Sequence, residues 1–261
     1  MHFLEMTMLN FVSTRLLPAT VAILTCLAAA LVFTGSVQAS DTGRTATCVA
    51  GTVKSLVTST RTYAADARGF TRIHRTPGGH VFSRFGRLNV NGVPTVFAVL
   101  GSVAGPRCKA AWYRVLLPLK PHGQRGYVRA RDVRLRPLTT RVVVDLSTRR
   151  LTVFDRGKRV LGARVGIGSR STPTPTGRFY VNQRFREANP NGVYGWAAIG
   201  ISAFSEVLRG WPQGGPVAIH GTNRPSLLGL PVSNGCIRVS NETVKRLWRL
   251  APTGTPVLVQ V

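Results

Sequence analysis

The sequence is poor in acidic residues. Nine Asp and Glu stand against 35 Lys and Arg in 261 residues, and the formal net charge is +26. Such a bias favours anionic partners and is typical of proteins that bind nucleic acids. The chain has no helix-turn-helix, zinc-finger or aromatic RNA-binding motif, and its basic residues are scattered, nearly all as Arg, so a nucleic-acid partner is not predicted. The remaining alternatives are an anionic cell envelope and a compositional bias with no specific role.

Histidine is scarce as well, with five in the chain. His74, His80 and His122 lie in loop-like surroundings, and no second His or carboxylate is spaced to form a metal site with them. We therefore expect these three to be surface residues. The sequence predicts neither a metal nor a cofactor.

Only four cysteines occur. Cys26 lies in the leader described below. Cys48 and Cys108 can pair in an oxidising compartment, where closing such a loop contributes roughly 4 kcal/mol in the chain-entropy model. That pairing leaves Cys236 as an odd thiol, which is a pointer to reactivity.

The one long apolar run covers residues 16–33 and follows Arg15. Val37-Gln38-Ala39 fits a small-residue cleavage site, so residues 1–39 are predicted to be a secretory signal peptide. An uncleaved anchor is the alternative, because about 18 apolar residues can span a bilayer. Residues 40–47 are predicted to be a disordered lead-in. The rest of the chain is expected to be secreted or extracytoplasmic, next to the anionic envelope, with membrane contact only through the leader.

Cys236 has a candidate activating partner. His220 ends the apolar run Val217-Ala218-Ile219 and lies sixteen residues before Cys236. An imidazole can take the proton of a thiol, and a Cys with a His brought close by folding is the minimum unit of cysteine acyl-transfer chemistry. The alternative is a small core Cys and a His with a structural partner.

The residues around Cys236 suit this chemistry. Ser233, Asn234 and Gly235 form a turn-prone triplet in which Gly235 permits positive φ and close backbone approach. The N–H groups of such a turn can face a developing oxyanion. Arg238 shares a strand face with Cys236, where it can favour the thiolate or hold a substrate carboxylate.

The segments I-H-G-T-N and V-S-N-G-C-I-R-V-S-N resemble the signature of the L,D-transpeptidase catalytic domain family. The resemblance covers residues 141–261. It implies that Cys236 is the nucleophile and His220 the proton acceptor and donor. Ser233, Gly235 and Arg238 fall on motif positions, whereas Asn234 stands where the family usually has His. The residues expected to serve substrate or oxyanion binding are Ser233, Asn234, Gly235, Arg238, Gly221 and Thr222.

The resemblance also implies an activity. The substrates would be peptidoglycan stem peptides, a donor and an acceptor, joined in 3–3 cross-links with release of a terminal D-alanine and without a cofactor. Carbapenem acylation of Cys236 is expected as well. The alternatives are an L,D-carboxypeptidase, in which water replaces the acceptor, and an inactive wall-binding protein.

The predicted fold is mainly β, in two domains. Short strands punctuated by Gly, Asn and Pro fill residues 48–138, and the stretch 112–135 resembles the end of a bacterial SH3-like barrel. Its Trp112 and Tyr127 either line a groove or fill the barrel core. A linker at 136–140 is predicted to lead to a β-sandwich-like catalytic domain over 141–261.

Within the second domain, a hairpin over 141–155, a helix over 242–250 and a closing strand over 256–261 are the clearest elements. Residues 183–215 are predicted to form a long loop, whose Tyr194, Trp196 and Trp211 either wall a groove or pack. Residues 174–177 are expected to shape the cleft.

Overall fold

A computed structural model describes residues 49–208 and 210–261. The predicted mainly β architecture is confirmed, with one α-helix in that part of the chain. The predicted leader, the lead-in and Cys48 lie outside the described residues. In the described part, no helix is long and apolar enough to span a membrane.

The first half of the described chain forms an eight-stranded sheet. Along this sheet the strands are ordered β4-β3-β7-β6-β5-β2-β8, and β1 pairs with β5. The strands are β1 (Val53–Ser55), β2 (Thr62–Ala67), β3 (Thr71–His74), β4 (Val81–Phe85), β5 (Val96–Ala104), β6 (Ala110–Leu116), β7 (Arg125–Arg129) and β8 (Val133–Leu138).

The strands of this sheet share one apolar cluster. Side chains from β2, β3, β5, β6, β7 and β8 meet there, because alternate residues of each strand face the same side. The buried members are Ala65, Ile73, Phe97, Val99, Val115, Leu117, Val128 and Val133. Tyr113 packs at the border of this cluster, whereas Trp112 is half-buried under the guanidinium of Arg129, 5.6 Å from the ring centroid.

Two predictions about histidine are wrong. His74 is buried, because it belongs to β3, and its ring makes an edge contact with Trp112 at 4.8 Å between centroids. His122 is half-buried and accepts a hydrogen bond from the Phe204 N–H at 2.9 Å. Only His80 is exposed, as predicted.

The second half forms another eight-stranded sheet, ordered β11-β10-β9-β18-β13-β14-β15-β17, and a two-stranded sheet of β12 and β16. The strands are β9 (Thr140–Asp145), β10 (Arg150–Asp155), β11 (Lys158–Arg164), β12 (Ile167–Gly168), β13 (Gly177–Arg186), β14 (Ala197–Phe204), β15 (Pro216–His220), β16 (Pro231–Ser233), β17 (Ile237–Arg238) and β18 (Pro256–Gln260). The predicted hairpin is therefore β9–β10.

The helix α1 (Asn241–Leu250) closes the core of this second sheet. The side chain of Ser240 caps it by accepting the Thr243 N–H at 3.1 Å. Val244 and Leu247 are buried in the main apolar cluster, as the helical spacing predicts. The helix thus covers the strands that carry the candidate site.

Two expectations about connections are wrong. Residues 136–140 are not a linker, because β8 continues to Leu138 and β9 begins at Thr140. Residues 183–215 are not one long loop either. They contain the end of β13 and all of β14, and only 187–196 and 205–215 lie between strands.

The two sheets pack on each other directly. Tyr180 of β13 is fully buried against Ala98 and Leu116 of the first sheet. Arg136 of β8 pairs with Asp66 at 3.1 Å and donates to the Thr253 carbonyl at 2.9 Å. The contact between the two sheets is thus partly apolar and partly hydrogen-bonded.

Candidate active site

The strand topology brings Cys236 and His220 to the same edge of the second sheet. β15 ends at His220, and β17 begins directly after Cys236. The two strands run parallel as neighbours, with Ile219 opposite Ile237 and His220 opposite Arg238. The intervening chain, including β16, returns to start β17 beside β15. The fifteen intervening residues therefore do not keep His220 and Cys236 apart.

The turn before Cys236 is held by one serine. Ser233 is buried, accepts the Gly235 N–H at 3.2 Å and donates to the Cys236 carbonyl at 2.5 Å. Gly235 has φ +109°, a conformation that side-chain-bearing residues rarely adopt. The Ser233 carbonyl in turn accepts the Ser169 N–H and the Thr172 hydroxyl, at 2.9 and 3.0 Å. The loop carrying the thiol is therefore fixed from both sides.

Both residues line one cavity of about 270 Å³. Five residues singled out from the sequence meet there: His220, Ser233, Asn234, Cys236 and Arg238. The other lining residues come from the loops 187–196 and 205–215 and the start of β15, and they are Val193, Tyr194, Leu208, Trp211, Gly215 and Pro216. Tyr194 and Trp211 thus belong to the wall, whereas Trp196 packs edge-on against Trp248 at 5.8 Å.

Three sequence-predicted elements are not in the lining. Gly221 and Thr222 are buried beside the cavity, and the Thr222 hydroxyl accepts the Arg224 N–H at 3.1 Å. Residues 174–177, expected to shape the cleft, lie outside it as well. Thr174 is buried and accepts the Gly168 N–H at 2.8 Å, so it supports the neighbouring β12.

The His220 imidazole is held as a neutral base. Its Nδ1 lies 2.6 Å from the Gly221 carbonyl, which can only accept, so Nδ1 carries the proton and Nε2 is the basic nitrogen. The pKa of His220 is lowered to about 4 in total, because burial and, to a lesser extent, the Arg238 charge lower it more than the Gly221 hydrogen bond raises it. The ring edge of Tyr194 packs against it at 4.8 Å. At neutral pH the imidazole is therefore unprotonated.

The Cys236 thiol is also held neutral in the free protein. Burial raises its pKa, while a hydrogen bond from the Ala218 main chain and the charge of Arg238 lower it. Burial dominates. The raised pKa of the thiol and the lowered pKa of the imidazole in one cavity favour the neutral form of both groups.

Arg238 supplies a positive charge without a carboxylate partner in the described part of the chain. Its main chain is fixed by two hydrogen bonds with Gly166, at 2.8 and 2.9 Å. Its Nε is buried and has no hydrogen-bond partner among the described residues. A guanidinium with an unused donor at a cavity wall is suited to a ligand carboxylate.

The chain that carries this site is similar to proteins of a known family. The sequence profile of the YkuD family, the L,D-transpeptidase catalytic domain, matches residues 139–259. YqjB of Bacillus subtilis, provisionally named an L,D-transpeptidase, is 34% identical over 128 residues, which cover 45% of this chain and 69% of that protein. The chain belongs to the L,D-transpeptidase family.

Other L,D-transpeptidases match a similar share of the chain. YkuD of Bacillus licheniformis, also provisionally named an L,D-transpeptidase, is 33% identical over 46% of this chain and 64% of its own length. A solved L,D-transpeptidase from Enterococcus faecium is 28% identical over 46% of this chain and 49% of that chain, with a TM-score of 0.37. This chain therefore spans less than two thirds of the length of these two relatives.

Proposed function

We propose that the protein is an exported peptidoglycan L,D-transpeptidase that forms 3–3 cross-links through a thioester on Cys236. The observation that carries the proposal is that Cys236, His220 and Arg238 line one cavity in a chain of this family. The donor is a tetrapeptide stem, and the acceptor is the side-chain amine of a neighbouring stem.

In the first half-reaction, Cys236 Sγ attacks the carbonyl carbon of the third residue of the donor. His220 Nε2 takes the thiol proton as the sulfur–carbon bond forms. The bond to the terminal D-alanine then breaks, and the imidazolium gives this proton to the leaving amine. The products are a thioester and free D-alanine. The neutral thiol and neutral imidazole of the resting site are the correct starting states for this step.

In the second half-reaction, the acceptor amine attacks the thioester. His220 takes a proton from the attacking nitrogen, and the sulfur leaves as a thiolate that this proton then neutralises. The new amide bond is the cross-link. The cavity wall formed by Val193, Leu208 and Trp211 offers apolar surface beside the thioester.

The site has separate groups for the two negative charges of the reaction, the substrate carboxylate and the oxyanion. Arg238 holds a carboxylate of the stem peptide through its unused donors. The Gly235 N–H is already donated to Ser233, so the exposed carboxamide of Asn234 and the Cys236 N–H are the donors that the loop offers to an oxyanion. Asn234 can donate there, but unlike the His common in the family it cannot carry charge.

The remaining parts of the chain fit an extracytoplasmic enzyme. We assign residues 1–39 to export, the first sheet to an SH3-like domain that contacts the wall, and Cys48 and Cys108 to a disulfide. Cys108 is exposed, which leaves it accessible for pairing. The net charge of +26 suits attachment to an anionic envelope.

The test is incubation of the purified protein with a tetrapeptide stem, with and without an amine acceptor, followed by mass spectrometry of the peptides. The proposal expects cross-linked dimer and free D-alanine when acceptor is present. Free tripeptide alone under both conditions would instead identify an L,D-carboxypeptidase. No turnover, together with retention on purified wall, would identify a binding protein.

A further inference from the structure

A second cavity, larger than the catalytic one, lies between the two sheets. It has a volume of about 480 Å³ and is lined by residues of both halves of the chain. Pro216 lines this cleft and the catalytic cavity alike, so the two are neighbours. We call it the intersheet cleft. Nothing in the mechanism above uses it.

The lining of the intersheet cleft is rich in carboxamides. Five Asn and Gln residues contribute, and several bond to one another, with Asn91 Nδ2 2.9 Å from Gln183 Oε1 and Gln213 Nε2 2.8 Å from Asn91 Oδ1. Phe85, Phe204 and Pro118 add apolar surface, and Arg84 is the one charged residue in the lining. The carboxamides are Asn89, Asn91, Asn182, Gln183 and Gln213.

Two polar atoms at the cleft have no partner among the described residues. Thr95 is 4% exposed, and its Oγ1 is buried without a hydrogen bond. Its main chain is fully used, since its N–H bonds to the Arg87 carbonyl and its own carbonyl accepts the Ala67 N–H. Asn182 Oδ1 is likewise buried and unpaired. Buried polar atoms of this kind are rare in native proteins unless something binds them.

The backbone is shaped to direct Asn182 into the cleft. In the pairing of β13 with β14, Val181 lies opposite Ile201 and Gln183 opposite Gly200, so Asn182 is the extra residue of a β-bulge. Consecutive residues of a regular strand point to opposite faces, yet Asn182 and Gln183 both line the cleft. Gly200 makes room, because an added Cβ would lie 2.6 Å from Gln183 Cγ and 3.1 Å from Asn182 Oδ1.

We propose that the intersheet cleft binds the amino-sugar chain from which the stem peptide hangs, in the form of a neutral, N-acetylated saccharide. This inference rests on the proposed peptidoglycan substrate and extends it from the peptide to the glycan. Carboxamides match the hydroxyl and acetamido groups of such a sugar, and Phe85 and Phe204 match its apolar face. An acidic peptide would require more than the single cation Arg84. Because Pro216 lines both cavities, the proposal places the glycan and the peptide of one substrate molecule in neighbouring cavities.

The test has a binding arm that does not depend on turnover. N,N′-diacetylchitobiose is titrated into the Cys236→Ser protein, and amide NMR shifts are followed at Thr95, Asn182 and Gln183. Shifts at these residues that are lost in Thr95→Val and Asn182→Ala support the proposal. Shifts absent here, or shifts caused only by a free tetrapeptide, overturn it.

The kinetic arm compares kcat/KM for a free tetrapeptide and for the same peptide on its disaccharide. We expect the disaccharide to raise kcat/KM, and Thr95→Val or Asn182→Ala to reduce that advantage by about 3- to 10-fold, as loss of a hydrogen bond does. Turnover of the free tetrapeptide stays unchanged. Thr52→Val, which removes an exposed hydroxyl, is the matched control. Equal kcat/KM for both substrates in the parent overturns the inference while leaving the transpeptidase proposal intact.

Discussion

The lowered pKa of His220 makes a prediction about stability. A group whose folded pKa is about 4, against an ordinary value of about 6.5, binds fewer protons in the folded state than in the unfolded state between these values. The free energy of unfolding must therefore fall as the pH drops through this window. At pH 4 the loss attributable to His220 is about 3 kcal/mol, from 1.36 kcal/mol per pKa unit.

The perturbation is His220→Gln, and the assay is urea unfolding at pH 7.5 and at pH 4. The parent should lose about 3 kcal/mol more between these pH values than the variant does. His80→Gln is the control, because His80 is exposed in the turn before β4 and the variant should follow the parent. Equal pH dependence in the parent and in His220→Gln would refute a buried, neutral imidazole at this position.

Three further predictions concern positioning and proton transfer. Arg238→Gln should lower kcat/KM for the tetrapeptide by at least tenfold, since it removes a charge-assisted bond. Alkylation of Cys236 by a small neutral reagent should slow much less, because the Arg238 charge is the smallest of the influences on the thiol pKa. An equal loss in both assays would contradict a role in binding the carboxylate. His122→Leu should lower kcat/KM severalfold, because the His122 side chain accepts the Phe204 N–H next to the wall loop 205–215. His122→Gln should restore much of the activity, since Gln can also accept this hydrogen bond. Equal activity of both variants would show that the contact is not needed. The rate of Cys236 acylation should fall on acidification only near pH 4, as His220 becomes protonated, and a midpoint near 6.5 would contradict the neutral buried base.

The candidate catalytic residues could be proposed from the sequence because their signal is local. Cys236 stands in a short Ser-Asn-Gly turn, and His220 ends an apolar strand, so type and spacing alone proposed the pair. That they line one cavity follows from the parallel pairing of β15 with β17. The protonation states could not be predicted from sequence, since burial sets both pKa values.

Two central strands have weak local signals. β2 reads T-Y-A-A-D-A, and β14 reads A-A-I-G-I-S-A-F, so both are rich in small residues that favour strands poorly. Each lies between two partners, β2 between β5 and β8 and β14 between β13 and β15, and this pairing overrides propensity. The cavity-wall residues Val193 and Leu208 come from loops whose position depends on those strands, so local sequence patterns did not identify them, whereas the aromatic Trp211 was a candidate from its residue type.

The most direct test of the central claim is acylation of Cys236 by a carbapenem, followed by intact mass spectrometry and peptide mapping. The account predicts one adduct, located on Cys236, absent from Cys236→Ser and unaffected by Cys108→Ser. It also predicts that His220→Gln slows acylation by about 100-fold or more, the contribution of a general base. No adduct on the folded parent protein, an adduct on the exposed Cys108 instead, or an undiminished rate in His220→Gln would contradict it.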